Sequence, residues 1–288
     1  MTATLNPSAL NPLAERPRAK PLSTRIKTIA ERMSWQIGIG VILGFLYLPI
    51  ALLIVFSFNT SRSLSWPMSG LTLDWYRKLA ENTQLIDAFG NSVYVAISAT
   101  LLTLIIGVPA ALALDRIEFP GKGLFRKLML LPIALPGIIT GISMLSLFRI
   151  LGLNLSLETV IIGHATALLA VVVTQVYARL QRLPASLQEA SSDLGASELQ
   201  TFFLVTLPNI RTTVIGAGML AFTLSFDEIP VTFFLTGRDN TLPMYIWSTL
   251  RRGLTPEINA IGSLIVAISV VLIFISVLLL KDKKNSVR

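Results

Sequence analysis

Cysteine is absent from the 288 residues, and histidine occurs once. The first absence excludes disulfides, thiolate metal sites and cysteine nucleophiles; the second excludes a histidine-rich metal centre. Charge is scarce as well. Only 14% of residues are Asp, Glu, Lys or Arg, against about 25% in an average soluble domain. Hydrophobic residues reach 53% and the mean hydropathy is +0.69, leaving too little polar surface to cover a core of this size in water. No G-x-x-x-x-G-K-[ST] occurs. Gly121-Lys122-Gly123 has the wrong spacing to cradle phosphates, and no strand precedes it. The chain is therefore expected not to hydrolyse nucleotide itself. His164 has no histidine or carboxylate at i+4 for a metal pair and reads as a packed, hydrogen-bonded residue. No Ser–His–Asp arrangement is signalled.

What is present is a set of long apolar runs. A helix crossing a hydrocarbon core of about 30 Å needs about 20 mostly apolar residues. Six stretches qualify, at 34–58, 88–114, 128–151, 159–178, 211–236 and 258–280. They are continuously apolar rather than alternating, which argues against a strand barrel. The expected fold is all-α: a polytopic membrane protein with six transmembrane helices at 34–280, flanked by a basic tail at 1–33 and a short tail at 281–288. The first tail holds Pro7, Pro12, Pro17 and Pro21, with helix expected from about Ser23. It is too long and polar for a cleaved signal peptide, so the first span is expected to be retained.

Seventeen of the 24 Lys and Arg fall on the tails and the even-numbered connections, seven on the other face. Both termini are therefore expected to be cytoplasmic. The net charge of +8 then follows from topology in contact with lipid, and a nucleic-acid partner is not needed. The outer segments 59–87 and 237–257 carry Trp66, Trp75, Tyr76, Tyr245 and Trp247. These suit an interfacial aromatic belt or a surface that receives something from outside.

The cytoplasmic segment 186–208 is the most informative. Leu187, Ala190, Leu194, Leu199, Phe202 and Phe203 recur at helical spacing, with Glu189, Ser192, Asp193 and Glu198 on the remaining face. Gly195 permits a sharp turn between two short helices, and Pro208 fits the entry to the fifth span. Helices lying on a membrane surface usually carry Lys and Arg on the polar face. This one is acidic, which favours a protein partner.

Glu189-Ala190-Ser191, three residues, Gly195, nine residues, then Val205-Thr206-Leu207-Pro208 resembles the EAA motif of bacterial ABC-importer permeases. That pattern is E-A-A, three residues, G, nine residues, I-x-L-P; Ser191 and Val205 are its two departures here. Further stretches, Leu220–Glu228, Thr232-Phe233-Phe234, Thr241-Leu242-Pro243 and Thr255–Ala260, look like spermidine/putrescine-type permeases, in particular their second permease subunit. The resemblance implies a type I importer fold and a 186–208 loop that docks on an ATPase. Glu189, Ala190, Ser191, Asp193, Gly195, Leu207 and Pro208 are then the coupling residues. It also implies a pair of ATPase subunits, a sister permease and a periplasmic solute-binding protein, with ATP and Mg bound by the ATPase and no cofactor in this chain. The expected site of action is the bacterial inner membrane.

Asp227 and Glu228 are the conspicuous charges in the apolar runs. Ionisable groups inside a membrane are costly and usually face a cavity or a partner. Pro230 cannot donate to the Phe226 carbonyl, so two carboxylates, a freed carbonyl and the Ser225 hydroxyl form an acceptor cluster suited to an ammonium ion. Phe222, Phe226, Tyr245 and Trp247 can add cation–π contacts or simply pack. Asn91 either caps the second span or touches solute. Alternatively, the two acids pair with Arg149 or Arg238. Many polyamine permeases resembling this chain place an acid after the proline of span three, where this sequence has Pro136-Gly137. That departure makes a smaller amine, a zwitterionic amino-acid derivative or an opine an alternative to a polyamine. Pro132, Pro136, Gly137 and Gly141 make the same span easy to bend. A proton-coupled secondary transporter using the buried acids is the rival class, and it leaves the acidic loop unexplained.

Overall fold

The computed structural model describes residues 22–61, 66–253 and 255–285. They are helical apart from short connections, with one isolated antiparallel bridge, Asn59 to Leu71. The helices are α1 Leu22–Phe56, α2 Asp74–Glu81, α3 Thr83–Arg116, α4 Lys122–Ala134, α5 Gly137–Ile150, α6 Leu157–Leu180, α7 Ser186–Asp193, α8 Glu198–Thr201, α9 Leu207–Phe226, α10 Pro230–Leu235, α11 Leu242–Leu250 and α12 Pro256–Asn285.

Residues 57–264 form one compact unit, centred on α3, α6 and α9. Small residues line the seams: Ala96, Ala99, Ala111, Ala170, Ala217 and Ala221 are all fully buried. Two apolar helices gain nothing by leaving lipid for each other, so close backbone approach and dispersion do the holding. The other unit comprises α1 and α12 from Ile265 onward. In α1, Trp35, Phe45 and Tyr47 are exposed, as befits a helix whose solvent is lipid.

Several expected boundaries move. Four helices are long and apolar enough to cross a membrane among the described residues: Met33–Phe56, Thr83–Arg116, Leu157–Leu180 and Glu198–Phe226. The expected single span 128–151 is instead a pair, Lys122–Pro132 and Gly137–Ile150, bent by 104°; counted as one crossing, it makes five. The sixth expected span falls in α12, whose segment Pro256–Val271 is apolar. The break in span three lies at Leu135 and Pro136. Pro136 cannot donate to the Pro132 carbonyl, and its ring pushes Leu135 into an extended conformation (φ −85°, ψ 134°). The expected fifth span 211–236 starts earlier and stops at Phe226. The basic tail expected at 1–33 falls outside the described residues as far as residue 21, and helix begins at Leu22. At the other end α12 runs on to Asn285, past the expected boundary at 281.

The α5–α10 crossing depends on one missing side chain. A Cβ on Gly141 would lie 2.8 Å from Phe234 Cδ2, 3.2 Å from the Pro230 carbonyl oxygen and 3.3 Å from Val231 Cα. Two of those three atoms are backbone and cannot rotate away. Gly141→Val is expected to destabilise the fold by about 1–3 kcal/mol, as overpacking does, and to lower the detergent melting temperature, whereas Gly216→Ala, with open space around it, should not.

Candidate functional site

At one end of α9 the 186–208 segment folds as two short helices and a turn. Gly195 has φ +77°, the left-handed region that side chains resist, and it reverses the chain after α7. Ser197 then opens α8 with a capping box, its hydroxyl accepting from Gln200 N–H while Gln200 Oε1 accepts from Ser197 N–H. No gap follows before α9. Phe202–Thr206 forms a π-helical turn, with Leu207 N–H donating to the Phe202 carbonyl five residues back. Pro208 has no N–H for the Leu204 carbonyl, and the wider turn absorbs that loss. The Asn209 side chain adds a donor to the Val205 carbonyl at 2.7 Å. Pro208 therefore sits inside a rod running from Glu198 to Phe226 rather than at the entry to a separate span.

Ser191, the departure from the motif's third alanine, is buried and hydrogen-bonded to Thr201 Oγ1 at 2.8 Å, tying α7 to α8. Arg116, the last residue of α3, donates to Thr206 Oγ1 at 2.7 Å. Its Nε donates to the Gln188 amide oxygen at 2.6 Å, the orientation of that amide which satisfies both groups. One guanidinium thus grips both α7 and the π turn. The apolar positions of the loop are not packed within the chain: Leu187, Ala190 and especially Leu194, at 88% exposure, point outward beside the exposed Glu189 and Asp193. The end of α3, α7, α8 and the π turn border a groove of about 880 Å³ that includes Arg116, Gln188, Ser192, Glu198, Leu199 and Phe203.

At the opposite end of the rod, helix stops at Phe226 and resumes at Pro230. Asp227 and Glu228 lie in that break, about 30 Å from Leu207 at 1.5 Å per residue. Asp227 is exposed and Glu228 half-buried. Among the described residues neither lies within 4 Å of a Lys or Arg, so pairing with Arg149 or Arg238 does not occur. Glu228 has a structural duty: its Oε1 accepts from Val231 N–H at 3.0 Å, capping α10. Phe222 and Phe226 stack at 5.9 Å, and Phe89 of α3 meets Phe226 edge-on at 6.2 Å. Phe89 was missed in the sequence because nothing local marks it; only the α3–α9 crossing brings it here. Gly137 faces the same carboxylate: a Cβ there would lie 3.4 Å from Glu228 Oε1 and 3.1 Å from Pro230 Cβ.

The remaining candidates separate. Ser225 turns inward, bonded to His164, and is not an open acceptor. Asn91 donates to the Asn240 carbonyl at 3.0 Å. It does not cap α3, which begins eight residues earlier with Asn82 as its cap. Tyr245 Oη accepts from Asn82 Nδ2 at 2.8 Å and packs in the same cluster as Phe226. Trp247 is exposed with Arg251 over its ring at 5.4 Å. Trp75 is neither belt nor exposed surface: it is buried, and its indole N–H donates to the Asn59 carbonyl at 2.7 Å, tying α2 to the segment after α1. Trp66, by contrast, is 76% exposed.

Residues 103–282 match the family model described as binding-protein-dependent transport system inner membrane component. The spermidine/putrescine transport system permease protein PotC of Escherichia coli (strain K12) is 36% identical over 244 residues, spanning 84% of this chain and 92% of that protein. The putrescine transport system permease protein PotI of the same strain is 35% identical over 269 residues, spanning 89% and 95%. In fold, the chain is similar to a subunit of a bacterial ABC transporter involved in import of the acidic polysaccharide alginate. That match has a TM-score of 0.68 at 18% identity and covers 90% of this chain and 98% of that one. It is also similar to the inward-facing MetNI methionine ABC transporter, with a TM-score of 0.56 at 17% identity over 67% and 92%.

Proposed function

The chain belongs to the family of binding-protein-dependent transport system inner membrane components, and from that premise we propose that it passes a small organic amine of the putrescine or spermidine class inward. It is a permease subunit of an ABC importer and not the subunit that hydrolyses ATP. Solute arrives on a periplasmic binding protein and enters between this chain and a sister permease. It leaves to the cytoplasm as a pair of ATPase subunits, which hold ATP and Mg, drives alternation. Both termini lie on the cytoplasmic side. The 186–208 loop docks on the ATPase through Glu189, Ala190, Asp193 and Leu194. Ser191 and Gly195 shape the loop, and Leu207 and Pro208 continue it into the rod.

The observation that carries the choice of solute is the uncompensated pair Asp227 and Glu228 in a helix break, beside the Phe222, Phe226 and Phe89 rings. A carboxylate with no cation of its own in a membrane protein is an acceptor waiting for one, and aromatic faces add to the attraction for an ammonium group. Glycine at 137 favours a second reading at this site. It brings no charge beside Glu228 where an acid would bring a further negative one, and so suits an amine of lower charge or a zwitterion better than a multiply charged chain.

The test is solute-stimulated ATPase activity of the complete complex in lipid with its binding protein, across putrescine, spermidine, neutral zwitterions and anions. Asp227→Asn is expected to raise the half-saturating amine concentration about tenfold or more, the loss of one charge-assisted contact, with basal activity unchanged. Stimulation by an anion alone, or by amines with Asp227→Asn and Glu228→Gln both unaffected, would make these acids structural.

A further inference from the structure

His164 is the one buried imidazole, and nothing in the proposed transport path touches it directly. It lies on α6 at 2% exposure, opposite the break in the rod. Its Nδ1 meets Ser225 Oγ at 2.8 Å, and its Nε2 meets Thr232 Oγ1 at 2.8 Å. Ser225 is the penultimate residue of α9 and Thr232 the third of α10. The two ring nitrogens therefore hold the two half-helices from either side of the Asp227-Glu228-Ile229 gap. Both hydroxyls are buried, at 4% and 0% exposure, so no water competes for these bonds.

The donors can be assigned. Thr232 Oγ1 donates its single proton to the Glu228 carbonyl at 3.0 Å. It can then only accept from His164, so Nε2 carries the proton, Nδ1 is bare, and the Ser225 hydroxyl donates to it. The imidazole is neutral and used at both ends. The chain of bonds runs from Ser225 through His164 and Thr232 to the backbone of Glu228, and Glu228 Oε1 in turn receives Val231 N–H at 3.0 Å. Few arrangements fix a three-residue break more directly. Leu235 and Val231 pack against Gly163, where a Cβ would lie 2.3 Å from Leu235 Cδ1, so α10 is pressed onto α6 beside the histidine.

From this geometry we infer that His164 is a positioning residue: a clamp across the α9–α10 break that holds Asp227 and Glu228 where solute meets them. The inference rests on the carboxylates contacting solute, and its test separates the two. The absence of cysteine allows paired labels to be introduced directly. Leu224→Cys and Phe233→Cys, both at exposed positions, place spin labels on either side of the break in the full complex, its other subunits made cysteine-free. The same complexes are assayed for solute-stimulated ATPase.

Wild type should give one narrow distance distribution. His164→Leu should broaden it and raise the half-saturating amine concentration about tenfold, leaving the maximal rate within about twofold. His164→Gln, whose amide offers one donor and one acceptor, should restore both to within about threefold. Where His164→Leu does not assemble, Ser225→Ala severs the same clamp and replaces it in both assays. A narrow distribution in the leucine variant overturns the clamp outright. A broadened distribution with unchanged half-saturation, where Asp227→Asn does shift it, overturns the positioning role. If neither acid substitution shifts half-saturation, the solute reading has failed by itself and the distance distribution alone decides the clamp.

Discussion

Glu189→Lys is expected to reduce uptake at least about 100-fold, a change equivalent to roughly 3 kcal/mol at the docking surface. Glu189 projects from α7 and is exposed, and its carboxylate forms no ion pair among the described residues. Reversing its charge therefore leaves the chain's own packing untouched, and the whole effect falls on the partner. A charge of the wrong sign across an interface costs several kcal/mol. It acts here beside Leu194, whose apolar side chain is almost fully exposed at the tip of the turn and is the obvious anchor for a pocket. The measurement is uptake into vesicles together with recovery of the ATPase when this chain is purified. Normal uptake and normal association in the variant would remove the loop from the coupling path and revive the ATPase-independent transporter.

Arg116→Ala is expected to have the second large effect, and of a different kind. The guanidinium links the end of α3 to Gln188 of α7 and to Thr206 in the π turn. Hydrogen bonds to a charged donor contribute about 1.5–3 kcal/mol each when well made, and removing this one donor frees a buried hydroxyl and an amide together. The ATPase still docks, because α7's outward face is unchanged. What is lost is the fixed relation between α7 and the helices behind it. Uptake should fall about 10- to 100-fold while hydrolysis continues and stops responding to solute. Arg116→Lys should not rescue, since a single ammonium lacks the fork that reaches both acceptors. Wild-type dependence of hydrolysis on solute in the alanine variant would show that the grip on α7 and Thr206 carries no signal.

The residues that were legible in the sequence are those whose meaning is local. Gly195 has to be glycine for a backbone reason that three neighbours suffice to reveal, and its φ of +77° agrees. The apolar runs announce membrane helices because length and composition alone satisfy the bilayer. The misreadings came where distant segments decide. Span five reads as unbroken to 236 because Phe222–Leu235 is apolar on both sides of the acids; the stop at Phe226 follows from Pro230 together with His164, 61 residues before its partner Ser225. Ser225 looked like an open acceptor, and only His164 explains why it is closed. Arg116 carried no signal beyond its sign, since its two acceptors lie 72 and 90 residues away in the chain. The loop's leucines and alanine recur at helical spacing, yet a periodicity does not say what covers them; in the chain itself Leu187, Ala190 and Leu194 are exposed.

The rod from Glu198 to Phe226 has 29 residues and passes through its π turn without a joint. Each residue of such a helix sets an azimuth as well as a height, about 100° and 1.5 Å. The direction in which Asp227 points is thereby geared to the direction in which α8 leaves the Gly195 turn. Dropping one residue between α8 and Phe222 would swing the acid, together with Phe222 and Phe226, by about 100°, away from Phe89 of α3 and His164 of α6, while changing the length by about 1.5 Å. The extra residue in the π turn is part of that gearing. Straightening the turn to ordinary α-helix would act as an insertion does, with a swing of the same size in the opposite sense and every side chain still in place. The segment is consequently far more tolerant of what its residues are than of how many there are.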